Sequence, residues 1–207
     1  MDQKELDNHK TPSYKRPLDI SILLLTHIPL FPIWLLLWTI IPLCILLDSG
    51  RPIFYRMKKV GKNGNVISVF KFRTMIVDAD KSEIPYTLIN DERITKFGKV
   101  LRKTALDELP QLINILRGEM SFVGIRPFSP RAHQAAERET PGWSKRLDAL
   151  PGLTSAMSVW SNPDNQQERL EMDLYYIRNQ SFFLDLKIFF LSILIAFKMG
   201  WEKKRKN

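Results

Sequence analysis

The residues best suited to chemistry in this chain lie between Leu106 and Pro127, LDELPQLINILRGEMSFVGIRP, where Asp107 and Glu108 stand side by side ahead of an apolar run and an arginine, Arg126. An ionised aspartate can attack a phosphorus centre and form an acyl phosphate reactive enough to pass its phosphoryl group onward. A neighbouring glutamate can hold a hard divalent cation, typically Mg²⁺, that screens an anionic donor from an anionic nucleophile. A guanidinium such as Arg126 can grip phosphate through two parallel hydrogen bonds. The pattern therefore points to phosphate chemistry, with Asp107 and Glu108 as catalytic candidates, Glu108 as the metal candidate and Arg126 as a substrate contact.

The elements that must position this pair are legible in outline. Leu109, Leu112, Ile113 and Leu116 recur at helical spacing and predict one apolar helix face, with Gly118 as its stop. Thr104 followed by Asp107 resembles a capping box, and Pro110 is tolerated in a first turn, so the pair is expected at a helix start. There the macrodipole favours ionised carboxylates. Acidic residues in a first turn are also common as plain caps, and spacing alone leaves that alternative open.

Upstream, Ile53 to Val60 and Val66 to Phe72 are β-prone runs separated by Gly61 to Asn65, which predicts a β-hairpin. Strand alternation would set Lys71 and Arg73 on one face and Phe72 on the other. Val77 to Asn90 lacks periodicity and reads as a loop. Arg93 to Arg102 is amphipathic; it can lie on a membrane surface, yet Gly98 weakens an isolated helix and favours packing on the core. Pro127 to Leu150 is polar and helix-prone with a turn at Pro141-Gly142, and shows no recognisable chemistry.

The chain has 207 residues, enough for one domain with a substantial core, and neither internal repeats nor a low-complexity linker. With 31 basic and 22 acidic residues its net charge is +9, which suits nucleic acid, anionic lipid or phosphorylated substrates. No nucleic-acid motif is present and the cations flank apolar segments, so lipid is the expected partner. Cys44 is the single cysteine, which excludes an intramolecular disulfide. His9, His27 and His133 lack metal-ligand spacing.

Ile20 to Leu47 is strongly apolar but interrupted by Pro29, Pro32 and Pro42. As one helix of 28 residues it would reach about 42 Å, enough to cross a hydrocarbon core of about 30 Å. Lys10, Lys15 and Arg16 before it and Arg51, Arg56, Lys58 and Lys59 after it ask for both ends on the cytoplasmic side. A break near Pro29 to Pro32 meets that demand and leaves arms of 9 and 15 residues, about 13 and 22 Å, each too short to cross. The stretch is too long and too proline-broken for a signal peptide. At the other end, Phe182 to Leu184 and Ile188 to Phe197 are apolar but interrupted by Asp185 and Lys187. The tail Trp201 to Lys206 joins an aromatic to four cations and reads as an interfacial anchor, or as a solvated end of a buried helix.

LDELPQL, the GEMSFVG loop and Arg126-Pro127 resemble the signature of the bacterial sugar transferases, the small monotopic phosphoglycosyl transferases. Lys15-Arg16 with Asp19, Lys71 to Met75, Asp91 to Thr95 with Gly98, Leu101-Arg102, and Asp173 with Tyr176 follow in that family's order. The resemblance implies a ping-pong reaction at the cytoplasmic face of a bacterial inner membrane. Sugar phosphate passes from a nucleoside diphosphate sugar, usually a uridine one, to polyprenyl (undecaprenyl) phosphate. It implies Asp107 as the nucleophile, Glu108 as the Mg²⁺ residue and Arg126 on donor phosphate. Arg102, Lys71 and Arg73 are further candidates for the same anionic cleft, with structural ion pairs as the alternative.

The implied fold is α+β and mostly helical: a re-entrant helix-break-helix in residues 1–50, a cytosolic catalytic part in 51–181 with the β-hairpin and amphipathic surface helices, and a C-terminal interfacial helix in 182–207, working as one unit. Without the multi-span N-terminal region of larger relatives, the chain is expected to be the catalytic unit alone. It departs from the family in two places. Phe31-Pro32 stands where Ser-Pro is usual, so Thr26 or His27 is expected to satisfy the carbonyl freed by proline. After Pro151-Gly152-Leu153-Thr154 the family continues with glycine, a small residue and glutamine, then Gly-Arg; Ser155, Ser158 and Asn162 stand there. That implies a differently held donor, an unusual donor or weak activity, and keeps open a non-catalytic membrane-associated family member that binds lipid phosphate or partner proteins.

Overall fold

The structure, a computed structural model, describes residues 10–79, 91–160 and 165–199. It is mostly helical with two small sheets, in keeping with the α+β expectation. All but the first three residues of the expected loop Val77 to Asn90, the Asn162 position and the basic tail lie outside the described residues.

The described residues begin with two helices, α1 (Lys15–His27) and α2 (Phe31–Ser49). Pro29 and Pro32 carry no N–H, so α1 cannot continue through the break at 28–30. Pro32 falls in the first turn of α2, where a missing donor costs nothing. The second arm is longer than the sequence predicts: 19 residues, about 28 Å, and by length and composition it can cross a membrane. Pro42 lies inside α2 without ending it.

The break is held by a residue the sequence did not single out. Thr26 Oγ1 donates to the Ile22 carbonyl at 2.7 Å and His27 Nδ1 lies 2.8 Å from the Leu23 carbonyl, so both expected donors bond within α1. Trp34 Nε1–H instead donates across the break to the Thr26 carbonyl at 3.0 Å, the acceptor that a continuing helix would pair with residue 30. The Trp34 ring stacks on His27 with centroids 4.0 Å apart.

The hairpin forms as predicted, β1 (Phe54–Val60) antiparallel to β2 (Val66–Phe72), with Lys71 opposite Tyr55 and Phe72 opposite Phe54. Helix α3 (Lys96–Thr104) packs on the core, its start capped by Thr95, whose hydroxyl accepts from Gly98 N at 3.0 Å. Gly98 serves close approach: a Cβ there would lie 2.2 Å from the Thr74 carbonyl oxygen. The short α4 (Gln111–Leu116) leads into β3 (Ser121–Val123), which pairs in parallel with β4 (Gly152–Thr154). Between them lie α5 (Pro130–Glu139) and a 3₁₀ segment, Trp143–Asp148, joined by a turn in which Gly142 takes φ +79°. The short α6 (Ala156–Val159), α7 (Gln166–Arg178) and α8 (Phe182–Met199) complete the described residues.

The main core gathers Leu23 of α1, Val69 of β2, Ile115, Met120, Val123, Ile125, Tyr176 and Ile188. Asp185, which looked like an interruption of the C-terminal apolar run, faces this core. Its carboxylate takes Lys15 Nζ at 2.7 Å and Tyr176 Oη at 2.7 Å, and Lys15 also donates to the Val123 carbonyl at 2.6 Å. Burial and the Asp185 charge push the Tyr176 phenol well above its ordinary value. Asp19 accepts from Ser121 Oγ and Phe122 N, both at 2.9 Å. Arg16 donates to the Ile115 and Leu116 carbonyls at the end of α4. Lys15 and Arg16, expected as membrane-side charges, are therefore fasteners tying α1 to α4, β3 and α8.

Candidate functional site

Asp107 and Glu108 lie in a 3₁₀ turn, Leu106–Glu108, rather than in the first turn of the helix that follows. Ala105 takes φ +58°, turning the chain sharply out of α3. Thr104 does not cap: its hydroxyl donates back to Val100 at 2.9 Å. Because α4 starts only at Gln111, its inward face is shifted from the predicted one. Ile115 is fully buried, whereas Leu116 is 60% exposed. The turn is pinned from both sides, since Leu106 and Leu109 pack on the cluster of Ile41, Ile45, Phe72 and Leu101.

Below the turn, α4 is anchored to the hairpin through Asn114. Its Oδ1 accepts from Phe70 N at 3.2 Å and its Nδ2 donates to the Ser68 carbonyl at 2.7 Å and to Glu119 at 2.6 Å. This buried amide links the hairpin strand that carries Lys71 to the helix that follows the acidic pair. Lys71 Nζ lies 2.6 Å from Glu108 Oε1 and 3.7 Å from Asp107 Oδ2. Asp107 is buried, while Lys71 and Glu108 keep some exposure. One ammonium thus lies within ion-pair distance of both carboxylates.

The remaining arginine candidates separate. Arg102, in the last turn of α3 just before the acidic turn, is held by Nε–H to Thr74 Oγ1 at 2.8 Å. Arg73 turns elsewhere: its NH2 donates to the Ser49 and Gly50 carbonyls at 2.6 and 2.7 Å and closes the C-terminus of α2. Burial lowers its pKa from the ordinary guanidinium value. Its alternation with Lys71 predicted one shared anionic face; the strand ends at Phe72, so Arg73 follows a different path. Arg126 is exposed on the loop after β3.

That loop rests on a residue the sequence reading passed over. Arg146 is 1% exposed, donates through Nε to Asp173 at 2.7 Å and through NH2 to the same oxygen, and also gives an NH2 bond to the Arg126 carbonyl at 2.8 Å. Its guanidinium lies over the rings of Trp143 and Phe128, 4.4 and 4.6 Å from their centroids. Burial drives the Arg146 pKa down and that of Asp173 up, each opposed by the charge of the other. The segment 127–150, taken as devoid of chemistry, thus holds the backbone of Arg126. The only sequence signal was an arginine among helix-prone residues, whose partner is 27 positions away.

Two of the substitutions in the family pattern have a local role. Ser155 caps α6, its Oγ accepting from Ser158 N at 3.3 Å and lying 3.0 Å from Ser158 Oγ. The pair therefore satisfies itself.

Among the described residues no group of three or more metal-ligating side chains occurs. Two carboxylates fit Mg²⁺ in the manner typical of that ion, which takes one or two protein carboxylates and completes its shell with substrate phosphate and water.

With the turn, its lysine and its arginine loop in place, comparison with known proteins defines the class. The family model described as bacterial sugar transferase matches residues 10–199, and the chain belongs to that family. It is 36% identical over 190 residues to the UDP-glucose:undecaprenyl-phosphate glucose-1-phosphate transferase of Klebsiella pneumoniae, covering 89% of this chain and 40% of that protein. It is 35% identical over 201 residues to the exopolysaccharide production protein PSS of Rhizobium leguminosarum bv. phaseoli, covering 90% of this chain and 96% of that protein. A UDP-N-acetylgalactosamine-undecaprenyl-phosphate N-acetylgalactosaminephosphotransferase of Aeromonas hydrophila is 33% identical, with 86% of this chain and 42% of that protein covered. The chain thus spans about two-fifths of the length of the first and third of these relatives.

Proposed function

We propose that this protein is a phosphoglycosyl transferase that moves a sugar phosphate from a nucleoside diphosphate sugar, of the uridine class, to polyprenyl phosphate through a covalent intermediate on Asp107. The observation that carries this reading is the pinned acidic turn, in which a buried aspartate and an adjacent glutamate share Lys71. The names of the relatives, which act on undecaprenyl phosphate, support the acceptor class.

In the first half-reaction an Asp107 carboxylate oxygen attacks the phosphorus bonded to the sugar. The bond from that phosphorus to the bridging oxygen breaks, and the electron pair leaves with the nucleoside monophosphate. In the second, an oxygen of the polyprenyl phosphate attacks the same phosphorus, and the pair of the P–O(Asp107) bond returns to the carboxylate. Lys71 offsets the charge of the acidic pair, and Arg126 and Arg102 supply cations for donor phosphate. Glu108, with Asp107, would hold Mg²⁺ together with donor phosphate oxygens, and the bound metal would neutralise charge on the donor.

The same reading makes the protein monotopic on the cytoplasmic face of the inner membrane. Its support is that both outer ends of the helix pair are hydrogen-bonded into the domain that carries the acidic turn: α1 through Lys15 and Arg16, α2 through Ser49, Gly50 and Asp48, which accepts from Phe97 N at 3.0 Å. The faces between are apolar and exposed, including Leu25, Ile28, Phe31 and Leu47, and Phe183 on α8 matches them. Cysteines placed at Lys10 and Arg51 in a Cys44→Ala background are expected to react from the cytoplasmic side only. Labelling of either from the opposite side overturns the re-entrant arrangement.

The catalytic reading is tested by nucleoside monophosphate release from a panel of nucleoside diphosphate sugars with undecaprenyl phosphate and Mg²⁺, comparing wild type with Asp107→Asn. Release by wild type and its loss in the variant supports covalent catalysis. Release by a folded Asp107→Asn protein refutes it, and no release with any donor leaves a non-catalytic, membrane-associated family member.

A further inference from the structure

Beside the acidic turn lies an apolar pocket of about 200 Å³, lined by Leu109, Leu112, Phe122 and Leu153 together with Phe189 and Ile193 of α8. Two polar groups define it. Glu108 stands in its lining, and Thr154 offers a hydroxyl that is buried and has no hydrogen-bond partner within the protein. A third, Ser192, also lines the pocket but donates its hydroxyl to the Phe189 carbonyl at 2.7 Å, so it is satisfied. Buried hydroxyls are almost always paired, and one left unpaired beside an apolar pocket is a group that a ligand oxygen would satisfy. The pocket also continues outward, because Ile193 is 37% exposed and Phe190 and Leu194 of the same helix are more than half exposed. An apolar track thus runs from the open face of α8 to a catalytic carboxylate.

The geometry points to this pocket as the seat of the first isoprene units of the polyprenyl phosphate acceptor, with the Thr154 hydroxyl donating to an oxygen at the phosphate end. This rests on the acceptor class proposed above and adds where that acceptor is held. A nucleotide or sugar is too polar for these walls. At about 200 Å³ the pocket is smaller than the ~300–1,000 Å³ that encloses a drug-sized ligand, so it takes only one end of a long lipid and leaves the remainder along α8. Thr154 ends β4, whose parallel pairing with β3 brings it to this wall, which explains why a threonine far from Asp107 in sequence serves the acceptor.

The test is photolabelling of the full chain in lipid nanodiscs with a prenyl phosphate bearing a diazirine on its first isoprene unit, with undecaprenyl phosphate as competitor. Labelling is expected on the peptides containing Leu153 and Ser192 to Ala196, and should be competed away. Ala196→Phe, which fills the pocket, should reduce it at least tenfold. Thr154→Val keeps the shape and removes the hydroxyl, so it should weaken competition by undecaprenyl phosphate three- to tenfold while Thr154→Ser preserves it; this holds the test open if Ala196→Phe does not fold. Labelling confined to the outer face of α2, or equal labelling by a diazirine phospholipid, overturns the pocket assignment. Nucleotide release separates the two proposals: release without pocket labelling removes only the acceptor seat, whereas pocket labelling without release from any donor removes the catalytic reading and leaves a lipid-phosphate site.

Discussion

Two lysines in this molecule each meet carboxylates, and they do opposite things. Lys15 is 1% exposed and directs its ammonium to Asp185, Tyr176 and the Val123 carbonyl, so each of its three protons has a partner at 2.6 to 2.7 Å. Lys71 sits at the edge of the acidic turn, 2.6 Å from Glu108 and 3.7 Å from Asp107, with some solvent access. The first arrangement is closed, with one ammonium, one carboxylate and saturated hydrogen bonds, and it joins the two ends of the chain. The second keeps solvent access on the ammonium and on Glu108, which leaves it within reach of a ligand. The residue types are the same; burial and solvent access distinguish the fastener from the candidate site.

Substitutions can break that contrast. Lys15→Met strands the Asp185 carboxylate in the core, and removing one partner of a buried pair costs about 3–5 kcal/mol. Loss of cooperative unfolding or a fall of at least several degrees in Tm is expected; an unchanged Tm would show that the pair is not a fastener. Gly152→Ala acts on the strand pair that aligns β4, because its Cβ would lie 2.2 Å from the Gly124 amide nitrogen. It should cost about 3 kcal/mol, read by denaturant midpoint.

Lys71→Met is the sharper test, since it should leave Tm within a few degrees yet lower nucleotide release by roughly 10²-fold, in the range of lost electrostatic stabilisation. A large stability loss with little change in activity would place Lys71 with Lys15. Arg146→Lys keeps the charge but loses the fork that spans Asp173 and the Arg126 carbonyl. Here the donor KM is expected to rise about tenfold with a smaller change in kcat, whereas a purely structural role would lower Tm and leave KM alone. The smallest effect is expected from Trp34→Phe, which removes one hydrogen bond across the helix break, about 1 kcal/mol by thermal unfolding in one lipid environment.

The family-order residues illustrate what could and could not be read in advance. Lys15, Asp19, Asp173 and Tyr176 stand in the sequence as equals of Asp107 and Glu108, and all are charged or polar. In the folded chain the first four are buried partners of one another's neighbours: Asp19 with Ser121, Asp173 with Arg146, Tyr176 with Asp185. Nothing local separates the two groups, because the partners lie from 9 to 170 positions away. The helix phase after Asp107 was misjudged for a related reason. A 3₁₀ turn and an αL residue at Ala105 consume part of the chain before α4 begins, and apolar periodicity carries no record of that interruption.

By itself the sequence determined the hairpin, whose alternation and glycine-rich turn are local, the proline-broken apolar pair of helices, and the adjacency of the two acidic residues. These follow from interactions within a few residues, where backbone preference and side-chain type decide the outcome. Tertiary structure alone decided that Lys71 faces the pair while Arg73 closes α2, that Arg146 carries the Arg126 loop, that Trp34 bridges the break, and that Thr154 opens into the apolar pocket. Each of those depends on which distant donor meets which acceptor once the core has closed, and that is set by packing of the whole chain.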